Sequence, residues 1–340
     1  MKKNKIVLLD SHAIIHRAYH ALPDFTTRNG TPTGGLYGTF SILLKIIDEL
    51  KPNFVIACYD VPQPTFRHEA YDEYKGGRKK IDLDLIEQII KSKEIFKAFN
   101  IPIFEKAGFE ADDIIGTISE ILKKDKKNEI FIATGDMDTL QLVDKEQVKV
   151  YTLKNGNNTI VYDKETVIDK YNFAPKFIPD YKGLAGDPSD NIPGIRGIGD
   201  KTAKILISSF GSIEDIYKNL KKNNLEKIKL TPRVLKLLKE GEEEALFSKE
   251  LATIKRDVEI NFSLPQKEFF NNLDLSKIGE VCRKFEFRNI LNRLKKILKI
   301  EESEQVLISD QQKLEELKVA VHLLNPTITE PTLDDVLNFS

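Results

Sequence analysis

Two kinds of apolar pattern alternate along the first half of the chain. KIVLLD (5–10), FVIACYD (54–60) and EIFIATGD (129–136) are short, β-branched and apolar throughout, as strands buried on both faces are. Between them, Leu36, Phe40, Leu43, Leu44 and Ile47 repeat at helical spacing, as do Ile86, Ile89, Ile90 and Phe96. The alternation predicts an α/β fold, a central and mostly parallel sheet with helices on both faces. VKVYT (148–152) and NTIVYD (158–163), joined through Asn155-Gly156, predict a hairpin or edge element.

From about residue 164 the pattern is helical, with glycine and proline punctuation at 183–199 and a lysine-rich helical region at 218–240. One more short strand is predicted at TIKRDVEI (253–260). EESEQ (301–305) is a polar linker, and the segment beyond it is too small to bury a core of its own. Three divisions result: an α/β domain over 1–170 with a basic stretch at 63–82, a helical subdomain over 171–295, and a linker with a terminal fragment over 296–340.

Composition narrows the function. Of the 340 residues, 41% are hydrophobic, enough for a buried core, and the net charge of −1 excludes bulk polycation behaviour. Nucleic-acid binding, if present, must come from local basic patches. The two cysteines, Cys58 and Cys282, lie far apart without a partner motif, which argues against a disulfide framework and a zinc site. The first apolar run, Ile6 to Leu9, is too short for a signal sequence, and no apolar stretch approaches the roughly 18 residues of a membrane span. A cytoplasmic setting without membrane contact is expected.

The acids carry the chemistry. Asp10, Asp60 and Asp136 end the three predicted strands, with Asp138 two residues further on. Parallel strands put those side chains at one carboxyl edge, where ligands bind in open α/β sheets. An aspartate after a strand also serves simply to cap the next helix. GFEADD (108–113) adds Glu110, Asp112 and Asp113 at a helix start, a position the helix dipole favours for acids in any case. GDPSDN (186–191) adds Asp187 and Asp190. As a set, these carboxylates repel one another unless cations neutralise them. Hard oxygen donors without thiolate or histidine select two or more Mg²⁺ ions, with Mn²⁺ able to substitute. Two such ions roughly 3.5–4 Å apart clamp the attacking and leaving oxygens of a phosphodiester.

Basic and aromatic residues are interleaved in TFRHEAYDEYKGGRKK (65–80): Arg67, Lys75, Arg78, Lys79 and Lys80 with Tyr71 and Tyr74. Cations meet phosphates and aromatic faces stack on unpaired bases, although a solvated charged helix has the same composition. Placed after Asp60, the segment lies over the acidic edge, where Lys75 or Arg78 can stabilise charge on a scissile phosphate. PGIRGIGDKTAKIL (193–206) sets Gly194, Gly197 and Gly199 before a helix, so that backbone amides and a helix N-terminus can approach a phosphate. Its Gly-Ile-Gly-x-Lys-Thr-Ala form is that of helix–hairpin–helix DNA-backbone binders, with Lys201, Thr202 and Lys204 adding to the face. His12, His16 and His20 share one helix face, more simply a partly exposed helix than a metal stripe.

LLDSHAIIHRAYHAL, PTGGLYGTF, FRHEAYDEYKGGR, GFEADDIIGT, TGDMDTLQLV, GDPSDNIPGIRGIGDKTA and LATIKRDVEI together resemble the 5′→3′ exonuclease domain of bacterial DNA polymerase I, in the flap endonuclease superfamily, over residues 1 to about 295. The resemblance implies that Asp10, Asp60, Glu110 and Asp112 hold the metal nearer the reacting phosphate. Asp136, Asp138, Asp187 and Asp190 would hold the second, with Asp113 between. Asp10, Asp60 and Asp112, with Lys75 and Arg78 of a helical arch, would be the catalytic set, with water as nucleophile. Arg17, Arg67, Tyr74, Lys75 and Arg78, with Gly194, Gly197, Gly199, Lys201, Thr202 and Lys204, would bind DNA, and the 194–199 turn would also hold K⁺. His16 stands where the family usually shows tyrosine before the arginine. The tail from about 305 resembles the start of a 3′-exonuclease-like domain, and the polymerase domain is absent from this chain. The implied partner is branched or nicked duplex DNA with a 5′ single-stranded flap, bound by a monomer. Two other functions compete. A PIN-type ribonuclease shares the acids but lacks the glycine-rich turn, and a non-catalytic DNA-junction-binding module would lack metal ligands.

Overall fold

The computed structural model describes residues 3–78, 80–153, 159–222, 230–300 and Lys318. The Asn155-Gly156 turn, Lys79, part of the lysine-rich region and nearly all of the tail from 301 lie outside these residues. The chain divides into two compact units, residues 1–288 and residues 289–340, and α13 (Ile290–Leu298) is the described helix of the second.

Six strands form one sheet: β1 (Asn4–Asp10), β2 (Phe54–Cys58), β3 (Ile103–Phe104), β4 (Asn128–Ala133), β5 (Val148–Leu153) and β6 (Thr159–Tyr162). Their order is β3-β2-β1-β4-β5-β6, with every pairing parallel except the antiparallel β5–β6 edge. The chain runs outward through β2 and β3, then returns to the other side of β1 to begin β4. That reversal opens a crevice beyond the carboxyl ends of β1 and β4. β1 is flanked on both sides, so Ile6, Val7 and Leu8 are wholly buried, which is why that run shows no polar alternation. The two-residue β3 is absent from the sequence expectation, being too short to leave a period.

The helices that place the site follow from local signals. Asp10 caps α1 (Ser11–Ala21) by accepting the Ala13 amide at 3.0 Å. α1 packs on α2 (Gly34–Leu50) where a Cβ on Gly38 would sit 2.6 Å from that of Ala18. α3 (Phe66–Ala70) and α4 (Leu83–Ala98) flank a run of turns, and α5 (Ala111–Leu122) buries its apolar face beneath the sheet. The basic stretch is therefore not a continuous helix. Gly76-Gly77 and Lys75, whose φ is +57°, break it after α3.

α6 (Lys164–Tyr171), α7 (Ile178–Ala185), α8 (Asp200–Phe210), α9 (Ile213–Lys221), α10 (Pro232–Glu240), α11 (Glu242–Ala252) and α12 (Leu275–Lys284) make the later part of unit one helical, as expected. Helices α6 to α11 share buried residues with the sheet in one core. One apolar cluster runs from Ile6 and Ile114 through Leu184 and Leu206 to Leu238. The strand expected at 253–260 does not form. Its backbone donors are taken by side chains instead: the Lys255 amide by Asp113 at 2.8 Å, Ile254 by Gln141 at 3.0 Å and Val258 by Thr117 at 3.1 Å. The segment crosses α5 at Gly116, where an added Cβ would lie 2.7 Å from both Ile254 Cγ2 and the Lys255 carbonyl oxygen. Gly116→Val is therefore expected to cost about 2 kcal/mol by overpacking, measured as a lower urea midpoint with unchanged slope.

Candidate metal centre and nucleic-acid interface

Each acid is placed by an ordinary local device. Asp10 Oδ2 accepts the Thr134 hydroxyl at 2.6 Å while its other oxygen caps α1. Asp60, two residues past β2, accepts the Ala111 amide at 2.7 Å and so reaches the start of α5. Its own amide donates to His12 Nδ1 at 3.1 Å, which fixes the imidazole as an acceptor on that nitrogen. Burial, the main influence on His12, lowers its pKa, in keeping with that neutral role. Asp136 caps the 3₁₀ turn Met137–Leu142 by accepting the Asp138 amide at 2.8 Å.

The acidic turn at 186–191 is held by backbone contact. Asp187 and Ile192 exchange two hydrogen bonds of 2.9 Å. Gly186 and Gly194 both have positive φ and press against each other; a Cβ on Gly194 would lie 2.1 Å from the Gly186 nitrogen. Glycine is thus required twice in one small turn.

Two adjoining cavities result. One, of about 560 Å³, is lined by Asp10, Asp60, Glu110, Asp112 and Asp136 together with His12, Lys75 and Arg78. The other, of about 700 Å³, is lined by Asp136, Asp138, Asp187 and Asp190 with Arg17, Arg78 and Lys182. Asp136 and Arg78 face both. Asp138, Asp187 and Asp190 present ligand atoms within 4.8 Å of one another.

The electrostatics fit divalent cations. Burial first, and then Asp60, push Asp10 up to about 7. Burial and then Asp136, Asp10 and Asp60 hold Asp112 well above the usual carboxylate range. Burial and Asp136 bring Asp138 to about 7 against the opposing pull of Lys182. For Asp187 burial raises but Lys182 prevails, and the net shift is downward. Carboxylates this crowded, offering oxygen donors only, match Mg²⁺ or Mn²⁺ better than a softer metal.

Not every expected residue faces this space. Asp113 is wholly buried, and its oxygens receive Arg67 Nη1 and Nη2, each at 2.8 Å, and the amides of Glu110 and Lys255. It has no lone pair to spare for a metal and clamps the fold instead. Arg67 is the other half of that clamp. Only 2% exposed, it also donates to the carbonyls of Leu251 and Thr253, so it does not reach DNA. Breaking such a buried pair costs about 3–5 kcal/mol. Tyr74 is 4% exposed, its hydroxyl donating to Glu110 at 3.2 Å and its ring meeting His68 edge-on, so it offers no stacking face to a base. Gly194 is buried and its amide donates to Ser248 Oγ at 3.0 Å, which removes it from the phosphate-binding amides.

Other expected contacts are open. Gly197, Gly199 and Lys201 are exposed, and Thr202 and Lys204 are half-buried, Lys204 paired with Asp200 at 2.8 Å. Lys75 Nζ donates to Glu110 at 2.6 Å and Arg78 Nη2 to Asp190 at 2.6 Å, so both basic side chains sit on the acids. Arg17 is half-buried at the wall of the larger cavity. Sequence reasoning passed over Thr134, His12 as a support for Asp60, and Lys182, which reaches from α7 to Asp138 and Asp187. Lys182 lies five residues before Asp187, a spacing with no distinctive signature.

Residues 5–172 match the 5′-3′ exonuclease N-terminal resolvase-like domain and residues 173–273 the 5′-3′ exonuclease C-terminal SAM fold. A 5′-3′ exonuclease of Aquifex aeolicus is 34% identical over 294 residues, covering 86% of this chain and 96% of that protein. The chain belongs to the 5′-3′ exonuclease family. The 5′-3′ exonuclease of Buchnera aphidicola is 40% identical over 263 residues, with 77% of this chain and 85% of that protein covered. DNA polymerase I of Caldicellulosiruptor bescii is 40% identical over 295 residues, 85% of this chain, yet the chain spans only 33% of that relative's length. Among solved structures, a T5 5′-exonuclease with bound zinc shares the fold at a TM-score of 0.59 and 19% identity, covering 87% of this chain and 99% of that one. The catalytic core of Rad2 in complex with DNA substrate does so at 0.56 and 16%, covering 87% and 92%. Among the described residues, no helix is long and apolar enough to cross a membrane.

The raised carboxylates set a pH dependence. Because Asp10 and Asp138 ionise near 7 in the fold and near 3.8 without it, their contribution to stability is complete below the lower value and is lost as pH rises through the upper one. Asp187 works in the opposite sense but titrates below that window. In chelator-treated protein, melting temperature is expected to fall between about pH 4 and about pH 7. Added Mg²⁺ should remove most of that fall, as read by a thermal melt at each pH.

Proposed function

We propose that the chain is a Mg²⁺-dependent 5′→3′ exonuclease and flap endonuclease that hydrolyses DNA phosphodiesters at 5′ flaps, nicks and RNA-primer ends, in replication and repair in the cytoplasm. The observation that carries this reading is the meeting of Asp10, Asp60, Asp112 and Asp136 in one cavity and of Asp138, Asp187 and Asp190 beside it, with Asp136 facing both. Family membership supports the reaction class, and relatives named DNA polymerase I support a polymerase domain as a working partner.

In this reading Asp10, Asp60, Glu110 and Asp112 hold one Mg²⁺, and Asp138, Asp187 and Asp190, with Asp136 from the boundary, hold the other. The ions, when bound, supply charge to the phosphodiester and acidify the attacking water. The chain's own residues do the rest. His12 keeps Asp60 in place through its backbone amide. Lys75 and Arg78, lining the same cavity as the first set of acids, turn from carboxylate to phosphate and oppose the charge that grows there as the bond breaks. The exposed amides of Gly197 and Gly199 and the N-terminus of α8, with Lys201, Thr202 and Lys204, hold the duplex backbone. A potassium ion at the 194–199 turn belongs to the same reading, and Arg17 meets the strand at the larger cavity.

The test is cleavage of end-labelled 5′-flap, nicked and single-stranded DNA, with and without Mg²⁺, with products mapped. Metal-independent cutting, or binding without any cutting, would replace this reading with a junction-binding one. Asp136→Ala should abolish cleavage while flap binding remains measurable by anisotropy; wild-type cutting would show that the boundary position holds no ion. Lys75→Ala should slow single-turnover cleavage by about 100-fold and change flap affinity far less. An unchanged rate would remove Lys75 from the catalytic set.

A further inference from the structure

The two acidic sets differ in a way that neither composition nor the proposed reaction anticipates. In the first set Glu110 alone carries a cation, Lys75 at 2.6 Å with Arg67 at 3.5 Å. Among the described residues no lysine or arginine touches Asp10, Asp60 or Asp112, nor Asp136 at the boundary; the partners of Asp10, Asp60 and Asp136 are Thr134, backbone amides and His12. In the second set Asp138, Asp187 and Asp190 each already carry an internal cation. Lys182 Nζ lies between Asp138 Oδ1 and Asp187 Oδ2 and bonds to both, and Arg78 takes Asp190 at 2.6 Å.

Lys182 is built into this position. It leaves α7 one turn before the end of the helix, where the Gly186 amide donates back to its carbonyl at 2.8 Å. Gly186 in turn begins the strained turn that carries Asp187 and Asp190. Side-chain exposures of 12% for Lys182, 17% for Asp138 and 12% for Asp187 leave little water to screen the three charges from one another. An ammonium and a hard dication seek the same oxygen lone pairs, so the two cannot occupy this position together. The stem is flexible and the larger cavity that Lys182 lines has room for a displaced head group.

We propose that Lys182 is the resident counter-ion of the second acidic set and that a divalent cation binds there only by displacing it, so that the first set loads tightly and the second weakly. This rests on the metal-dependent reading above. The lysine is thereby a positioning residue that sets the order of loading.

The test is Mn²⁺ binding to the full chain without DNA, followed by the electron paramagnetic resonance signal of the free ion and by titration calorimetry. Wild type is expected to show one tight and one weak class. Lys182→Met keeps the stem and removes the charge; it should tighten the weak class by about tenfold or more and leave the tight class unchanged. Lys182→Arg, which keeps the charge, should leave the weak class weak. If Lys182→Met melts early, Lys182→Gln gives the same comparison in a polar side chain. A weak class that stays put or loosens in both neutral variants overturns the inference while leaving the metal reading intact. A wild-type chain that takes up no Mn²⁺ in either class overturns both.

Discussion

Like charges brought together away from water must be opposed by something, and in this fold that requirement organises the whole carboxyl edge of the sheet. Strand ends, a helix start and a glycine-pinned turn deliver acids to adjoining cavities. No single delivery is unusual. The cost comes from the sum, and it shows as carboxyl groups held far above their ordinary ionisation range. The molecule answers with three side-chain cations, Lys75 on Glu110, Arg78 on Asp190 and Lys182 on Asp138 and Asp187, and leaves the acids nearest β1 without one. That uneven cover is the basis of the proposed difference between the two sides in their hold on dications.

The same requirement explains the Arg67–Asp113 pair. Asp113 shares its helical turn with Glu110 and Asp112, but faces inward and ties α3 and α5 to the segment at 251–255. Chain stretches far apart in sequence meet at one guanidinium, so the basic turns at 71–78 start from a fixed point. Their other anchor is the acidic turn itself, where the Lys75 amide donates to the Asp190 carbonyl at 2.9 Å and Asn191 donates to the Glu73 carbonyl at 2.8 Å.

The sheet, its long strands and most of the acids were legible because their signals are local and periodic: buried runs without polar alternation, an aspartate at each strand end, helical repeats between. What escaped depends on direction rather than composition. Arg67 and Tyr74 belong to a segment whose residue types suit a DNA-facing surface, yet both point inward, since charge and aromaticity do not say which side of a short helix meets the core. Gly194 reads as a phosphate-binding glycine but serves a backbone-to-backbone contact. The alternation in 253–260 mimics a strand, and only the tertiary fold reveals that Asp113, Thr117 and Gln141 replace the neighbouring strand.

Asp10 joins architecture to chemistry in a single side chain. One of its oxygens starts α1, the other is held by Thr134, and the residue lines the cavity of the first acidic set. Selection acting on that position cannot trade one duty against the other: a variant that gives up the anion also loosens the first turn of a helix packed on the sheet. Variation among homologues should therefore accumulate around this carboxylate rather than at it, and an inactive natural copy of the fold would have to find another way to begin α1.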